Sequence, residues 1–335
     1  STKLAGDIYL ERALQARDHG RYEEATREFA DAVRSYQAAA SIGQSDAQIY
    51  EGLAEAWIRQ IEMAGSLGRP TDEAYEAAIA ASDKIDRAEP GSTAGLLKKA
   101  YASSVRIGIL RVGHTSATLA QRCLSAAEEV LQRDANNPYA SDLAANCYVN
   151  LAEAAQAQGQ DSEQLRRRGI EILERTMHQY PNFLWGASDL AISYTVLASE
   201  QAVRGDERLR ATLEKSLSWL RVATSLDDTF INPSMNALVN LSILIQTVSD
   251  EREVADIVAR ADDLFAQCTH INVNSQECYD NYFLVYISAA QRLFVAGKEP
   301  GPLLARGFAN YEITRKTGGP LLDAEQSAAL GRYIE

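Results

Sequence analysis

A triplet of residues returns along the chain every 45 to 47 positions, and that period constrains the fold more than any single residue does. Its members are spaced by four and then by three. They read Ala78/Ser82/Ile85, Cys123/Ala127/Val130, Gly169/Leu173/Thr176, Ser216/Leu220/Ala223, Ala261/Phe265/Cys268 and Gly307/Tyr311/Thr314. Successive triplets start 45, 46, 47, 45 and 46 residues apart, and a diverged first copy, Ala25/Phe29/Ala32, starts 53 residues before the second. Self-similarity at a fixed period of this size marks a solenoid of helical hairpins, each too small to bury its apolar face alone.

Within each period the apolar spacing is helical. After Asn137-Pro138 comes a stripe of Leu143, Ala144, Cys147, Tyr148 and Leu151, which Gly159 and Asp161 interrupt. A second stripe of Leu165, Ile170, Leu173 and Met177 follows and ends at Pro181. The next period repeats the design with Leu190, Ala191, Tyr194 and Leu197, a break at Gly205-Asp206, and a second helix from Leu209 to Leu226. Intervals of three and four are those of an amphipathic helix. Pro90, Pro138, Pro181, Pro233 and Pro300 lie between the helical patterns, where helix boundaries are expected. No alternating strand pattern is present. The expectation is an all-α, right-handed solenoid of about seven antiparallel hairpins forming one domain. Its units lie at approximately 5–42, 45–90, 92–136, 137–181, 182–230, 232–273 and 276–319, with a capping helix at 322–335.

Charge narrows the partners. The net charge of −13 opposes binding to a phosphate backbone, and the densest basic run, Arg166–Arg168, is flanked by Glu163, Glu171 and Glu174. Nucleic acid is therefore not an expected partner. No stretch approaches the roughly 18 uninterrupted apolar residues of a membrane span, so no insertion is expected. A start at Ser1 without a signal-like apolar run fits a mature product or an excised segment. The compartment stays open between cytoplasm and periplasm, with the cytoplasm preferred.

The residues quoted so far resemble the tetratricopeptide repeat family. Leu53/Ala54/Trp57, Leu143/Ala144/Cys147 and Leu190/Ala191/Tyr194 match its first-helix motif. Gly169/Leu173/Thr176 followed by Pro181 matches its second helix, and Gly20-Arg21-Tyr22-Glu23-Glu24-Ala25 is similar to its turn into that helix. Units of that family run about 34 residues, so these are roughly 12 longer. The extra length falls around 154–163 and 198–207, which implies both helices of a hairpin are extended. Long-helix repeats of this style resemble those appended to some bacterial serine/threonine protein kinases and other signalling proteins. No kinase motif is present, so the chain is not itself a kinase.

The slot before the first-helix leucine, and the slot four later, carry polar or tyrosyl residues in four successive units. They are Asp142/Asn146, Asp189/Ser193, Asn236/Asn240 and Tyr282/Tyr286. Residues four apart share a helical face, so the period sets equivalent faces side by side as a ladder. Gly52/Ala56 and Leu96/Ala100 hold the same slots earlier in the chain and are not polar. The resemblance implies that the first slot faces a groove that contacts peptide backbone, whereas the second tends toward the helix interface. Trp185 and Tyr148 are candidate aromatic anchors. No Lys or Arg recurs at these slots, so the surface favours a neutral or cationic segment over a C-terminal carboxylate.

Catalysis has little support. His19, His114, His178 and His270 are scattered, and Glu174 with His178 supplies only two of the ligands a metal site needs. No cofactor and no metal are expected. Cys123 and Cys147 occupy small-residue packing slots and read as buried free thiols. Cys268 and Cys278 flank the loop 269–277, so a disulfide is open to them, although two separate thiols are the preferred reading. The leading functional reading is a non-enzymatic scaffold that binds a peptide or partner protein, with the sensor or docking part of a bacterial signalling protein as one setting for it. A second is a small-molecule-binding helical sensor or transport-associated binding protein with its pocket near Asn236/Asn240 and Tyr282/Tyr286. A third is an α/α-toroid enzyme.

Overall fold

The computed structural model describes residues 2–109, 116–248, 250–273 and 275–316. The capping helix at 322–335 and His114 lie outside them. Among the described residues the chain is all-α, with fourteen helices and no strand. It divides into two compact units, Ser1–Ser193 and Tyr194–Glu335. The first contains α1 (Thr2–Asp18), α2 (Tyr22–Ile42), α3 (Ala47–Ser66), α4 (Asp72–Ala88), α5 (Ala94–Ile109), α6 (Ser116–Arg133), α7 (Pro138–Ala157) and α8 (Glu163–Gln179). Helix α9 (Leu184–Arg204) begins in the first unit and ends in the second. The second continues with α10 (Leu209–Leu226), α11 (Asn232–Gln246), α12 (Glu251–Ile271), α13 (Gln276–Val295) and α14 (Gly301–Lys316).

Each odd-numbered helix and its successor form a hairpin, and five of these hairpins turn by one device. Gly20, Gly68, Gly159, Gly205 and Gly297 take φ between 64° and 72° just past the first helix. The amide after each glycine reaches back five residues (Arg21 to Ala16, Arg69 to Ala64, Gln160 to Ala155, Asp206 to Gln201, Lys298 to Leu293). That is the Schellman closure, and the left-handed conformation it demands costs glycine nothing. At the starts of helices the orphan amides find side-chain acceptors. Asp46 accepts from Gln48 N, Asn137 from Ala140 N and Asp250 from Arg252 N. The helices run from 15 to 21 residues, with α2, α9 and α12 the longest.

The repeating triplet is the packing seam. Ala25, Phe29, Ala32, Ala78, Ser82, Ile85, Cys123, Ala127, Val130 and Leu173 are completely buried, as are Ser216, Ala223, Ala261 and Cys268. In the first unit each odd-numbered helix also packs on the next one along, α1 on α3, α3 on α5 and α5 on α7. The second unit does the same with α11 on α13. Tyr36 shows how closely these layers meet. Its ring, 1% exposed, sits between Gly6 of α1 and Gly52 of α3, and a Cβ at Gly52 would fall 2.5 Å from it. The polar slot of the second hairpin is glycine because a tyrosine ring from the first hairpin fills it.

The cysteines correct the expectation of free thiols. Cys123 of α6 is disulfide-bonded to Cys147 of α7, with Cα atoms 5.9 Å apart. Cys268 of α12 is bonded to Cys278 of α13 at 6.1 Å, and no free cysteine remains. All four are completely buried. Small residues at packing slots bring helix axes close, and two thiols facing each other at such a distance meet the geometry of a bridge. Each bridge ties the second helix of one hairpin to the first helix of the next.

Candidate functional site

The structure brings Asp142, Asn146 and Asp189 together. Asp142 and Asn146 stand one turn apart on α7, and Asp189 reaches them from the first turns of α9, within the first unit. Asn146 Nδ2 donates to Asp189 Oδ2 at 2.5 Å. The Asp142 and Asp189 carboxyls hydrogen-bond to each other. Asp142 is 7% exposed, whereas Asp189 and Asn146 are half-buried, so the cluster is deep at one end and open at the other.

Two carboxylates in contact cannot both be ionised at low cost. Burial, and then the charge of Asp189, push the Asp142 carboxyl well above the ordinary carboxylate range. Burial also raises Asp189, although the hydrogen bonds from Asn146 and Asp142 hold it down in part. Of the two, Asp142 is pushed up the more strongly, so it holds a proton to the higher pH and its O–H is the one placed to donate to Asp189. One oxygen of the deeper group, Asp142 Oδ1, is buried with no hydrogen-bond partner among the described residues. An unpaired buried acceptor and a desolvated acid pair both cost stability.

The remaining slots fare differently. Ser193 is buried, and Asn240 is completely buried and donates to Ser216 Oγ at 2.7 Å. Asn236 donates to Asn232 O one turn back on its own helix. Tyr282 and Tyr286 are buried and both donate to Asp262 Oδ1, at 2.7 and 2.8 Å. Tyr282 also stacks on Phe265 with ring centroids 4.0 Å apart, and Arg306 of α14 pairs with Asp262 at 3.1 Å and lies over the Tyr286 ring. Asn240, Tyr282 and Tyr286 thus serve contacts with a helix of the neighbouring hairpin, and neither they nor Ser193 present an exposed ladder. Trp185 is 42% exposed, one turn before Asp189 on α9. Tyr148 turns to the other side of α7, where its hydroxyl donates to Glu128 of α6 at 3.3 Å. It lines a cavity of about 300 Å³ with Ser141, Arg168, Arg175 and Gln179.

A second polar cluster joins α1, α3 and α5, and sequence reasoning passed over it. Arg59 of α3 bonds Glu55 at 2.7 Å and Glu62 at 2.9 Å. Lys98 of α5 reaches Glu55 at 2.6 Å, Tyr101 of α5 donates to Glu62 at 3.0 Å, and Arg17 of α1 pairs with Glu62 at 2.9 Å. Burial opposes its charge, but Lys98 and Arg59 hold the Glu55 carboxyl below its usual range. The signal was available: Glu55, Arg59 and Glu62 are spaced by four and three along one helix, the spacing of side chains that meet. In the second unit Asp280 was also missed. Burial and the charge of Glu277 push its carboxyl up to about 7.

Among the described residues no group of three or more His, Cys, Asp or Glu side chains is placed to hold a metal ion. No helix there is long and apolar enough to cross a membrane.

No protein-family profile matches the chain, and no curated protein matches it in sequence. Solved structures do. A thermophilic tetratricopeptide protein of Thermus thermophilus, TTC0263, is 12% identical; the match covers 72% of this chain and 99% of that one, with a TM-score of 0.45. Yeast Tom70 is 12% identical over 96% of this chain and 67% of its own, with a TM-score of 0.41. The TPR2AB domain of yeast Sti1, in its pHSP90 complex, is 14% identical over 84% and 98%, with a TM-score of 0.27.

Proposed function

We propose that the chain is a non-enzymatic protein-interaction scaffold, and that a neutral or cationic segment of a partner docks where α7 and α9 meet. One observation carries this reading: the buried Asp142 carboxyl and its Asp189 partner are packed together at a site that opens to the surface through Asp189 and Asn146. Two acids in contact weaken a fold, and perturbed carboxyls gather where binding needs them. Trp185, exposed one turn from Asp189, supplies an aromatic surface of the sort that anchors interfaces.

Selection from a displayed random-peptide library tests the proposal. Wild-type protein should enrich peptides that lose binding to Asp189→Asn and Trp185→Ala and keep it against Tyr148→Phe, whose residue faces α6 and α8. Equal enrichment on all four proteins would remove the site from consideration.

The two bridges support an oxidising compartment as the place where this scaffold works, in preference to the cytoplasm, because buried disulfides persist where thiols are not kept reduced. Thiol counting on unreduced, denatured protein should find none; four reactive thiols would return the chain to a reducing compartment.

A further inference from the structure

We infer that the cavity between α6, α7 and α8 is a binding site for a small organic acid, one carboxylate on a short apolar chain. The site stands apart from the docking reading above, since neither Asp142 nor Asp189 lines it.

Helix packing opens the cavity and fixes its walls. Helices α6 and α8 are the second helices of successive hairpins; both pack on α7, and among the described residues they do not pack on each other. Their separation leaves a trough whose floor is the α7 face carrying Ser141, Ala144 and Tyr148, spaced by three and four. Three ties hold the trough in shape. Cys147, beside Tyr148, is bridged to Cys123 of α6. Gly169 lets α8 press so closely on α7 that a Cβ there would fall 2.9 Å from Ala145 O. Gln179 and Tyr180 close one end through bonds to Asn136 at 3.2 and 2.6 Å. A cavity shaped in advance spares a ligand the cost of ordering it.

The antiparallel helices sort the lining into layers. At one end the Tyr148 hydroxyl meets Glu128, and Arg168 stands next to the Gly169 contact. One turn along come Leu131, Ala144 and Ile172, an apolar middle, and beyond them Ser141, Arg175 and Gln179. Charge separates the two ends. Arg168 lies 3.7 Å from Glu171 and shares its end with Glu128. Arg175 has no carboxylate partner among the described residues. Its Nε donates to Glu171 O at 3.3 Å, which leaves its terminal N–H groups for a ligand. A guanidinium donates two parallel bonds to a carboxylate, and Ser141 adds a hydroxyl at the same end. A carbon chain leaving that seat crosses the Leu131/Ala144/Ile172 layer. Glu128 at the opposite end opposes a second negative charge, which favours a monoacid over a dianion. The volume of about 300 Å³ suits a small molecule.

NMR titration of the isotopically labelled full chain with acetate, butyrate and hexanoate tests the site. Hexanoate should shift the amides of Ser141, Ala144 and Ile172 and leave those of Glu55 and Asp189 in place. Affinity should rise by up to about fourfold for each added CH2 from acetate to hexanoate, the gain for burying one methylene. Hexylamine, of the same length and opposite charge, should bind at least about tenfold more weakly, and so should inorganic phosphate, which has no chain for the apolar layer. Arg175→Gln, at an exposed position, should weaken hexanoate at least about tenfold. Arg167→Gln should change nothing, because Arg167 pairs with Glu163 and lies outside the cavity. Hexylamine or phosphate binding as tightly as hexanoate would overturn the organic-acid assignment. No hexanoate binding, shifts confined to other helices, or unchanged affinity in Arg175→Gln would overturn the site itself. An acetylated tripeptide with a free C-terminal carboxylate should bind more weakly than hexanoate; tighter binding would assign the seat to a chain terminus and overturn the free-acid reading. The wild-type titrations need no variant to fold, and their failure leaves the α7/α9 docking reading untouched.

Discussion

The α3/α5 and α7/α9 contacts are the same joint built with opposite electrostatics. Both set polar side chains between first helices of successive hairpins in the first unit. At α3/α5 every carboxylate meets a cation: Glu55 has Arg59 and Lys98, and Glu62 has Arg59 and Arg17. At α7/α9 one acid meets another, and the Asn146 amide eases the contact. Glu55 is held below the ordinary carboxylate range, while Asp142 is pushed well above it. The period thus repeats a pairing of helices without repeating its chemistry or the slots that carry it. A joint that neutralises itself holds hairpins together; one that leaves an acceptor buried and unmatched has the character of a site.

The α7/α9 joint is also the one beside a covalent tie, since Cys147 follows Asn146 directly and bonds Cys123 of α6. Replacing both cysteines by serine should produce the largest effect on the comparison. Closing a loop with a sequence separation of 24 residues contributes roughly 3 kcal/mol. Native-state hydrogen exchange should show α7 amides losing protection by that amount while α3 amides keep theirs. Equal loss in both helices would mean that the two joints are not independent.

Arg59→Ala should come next, at about 2–3 kcal/mol, because it leaves Glu55 and Glu62 partly buried and short of a partner. Its pH dependence has a definite sign. A carboxyl held below its unfolded value contributes stability that is present above the unfolded pKa and lost as pH falls through the folded one. Urea denaturation of wild type should therefore show acid weakening from this joint, and Arg59→Ala should show less of it.

Asp142→Asn should act in the opposite direction, raising stability by about 1 kcal/mol at pH 8 and by almost nothing at pH 4. Here the folded pKa lies above the unfolded one, so wild type loses stability as pH rises from the unfolded carboxylate range toward the folded value. The same urea experiment at the two pH values checks it. A variant that is destabilised at pH 8 would show that the acid pair holds the fold and does not burden it. The smallest effect should come from Tyr282→Phe in the second unit, about 1 kcal/mol for one hydrogen bond to a carboxylate that keeps Tyr286 and Arg306.

Much of this molecule was legible without coordinates. The triplets named the seam, and Ile85, Val130, Leu173 and Ala223 are buried in it. Gly159 and Gly205 were readable as breaks because a left-handed turn selects glycine regardless of what surrounds it. The polar slots located Asp142, Asn146 and Asp189, since equal spacing along stacked helices puts them on adjacent faces. The same slots misled at Ser193, which is buried, and at Asn240 and Tyr286, whose side chains turn toward a partner on the neighbouring helix. A slot gives a side chain's angular position on its helix, not how much of that face the next hairpin covers. The bridge from Cys123 to Cys147 was illegible for a related reason: nothing in a spacing of 24 residues says that two helices bring those thiols face to face.

The sequence by itself determined the helices, their pairing into hairpins and the residues of the seam, because helical period, turn chemistry and burial are properties of a single segment and its immediate neighbour. Only the tertiary structure decided which acid meets a cation and which meets another acid. That depends on distances between side chains about 43 residues apart, as between Lys98 and Glu55 or Asn146 and Asp189. At such contacts a few ångströms separate an ion pair from a shared proton, because the energy of a buried charge is set by the groups that touch it.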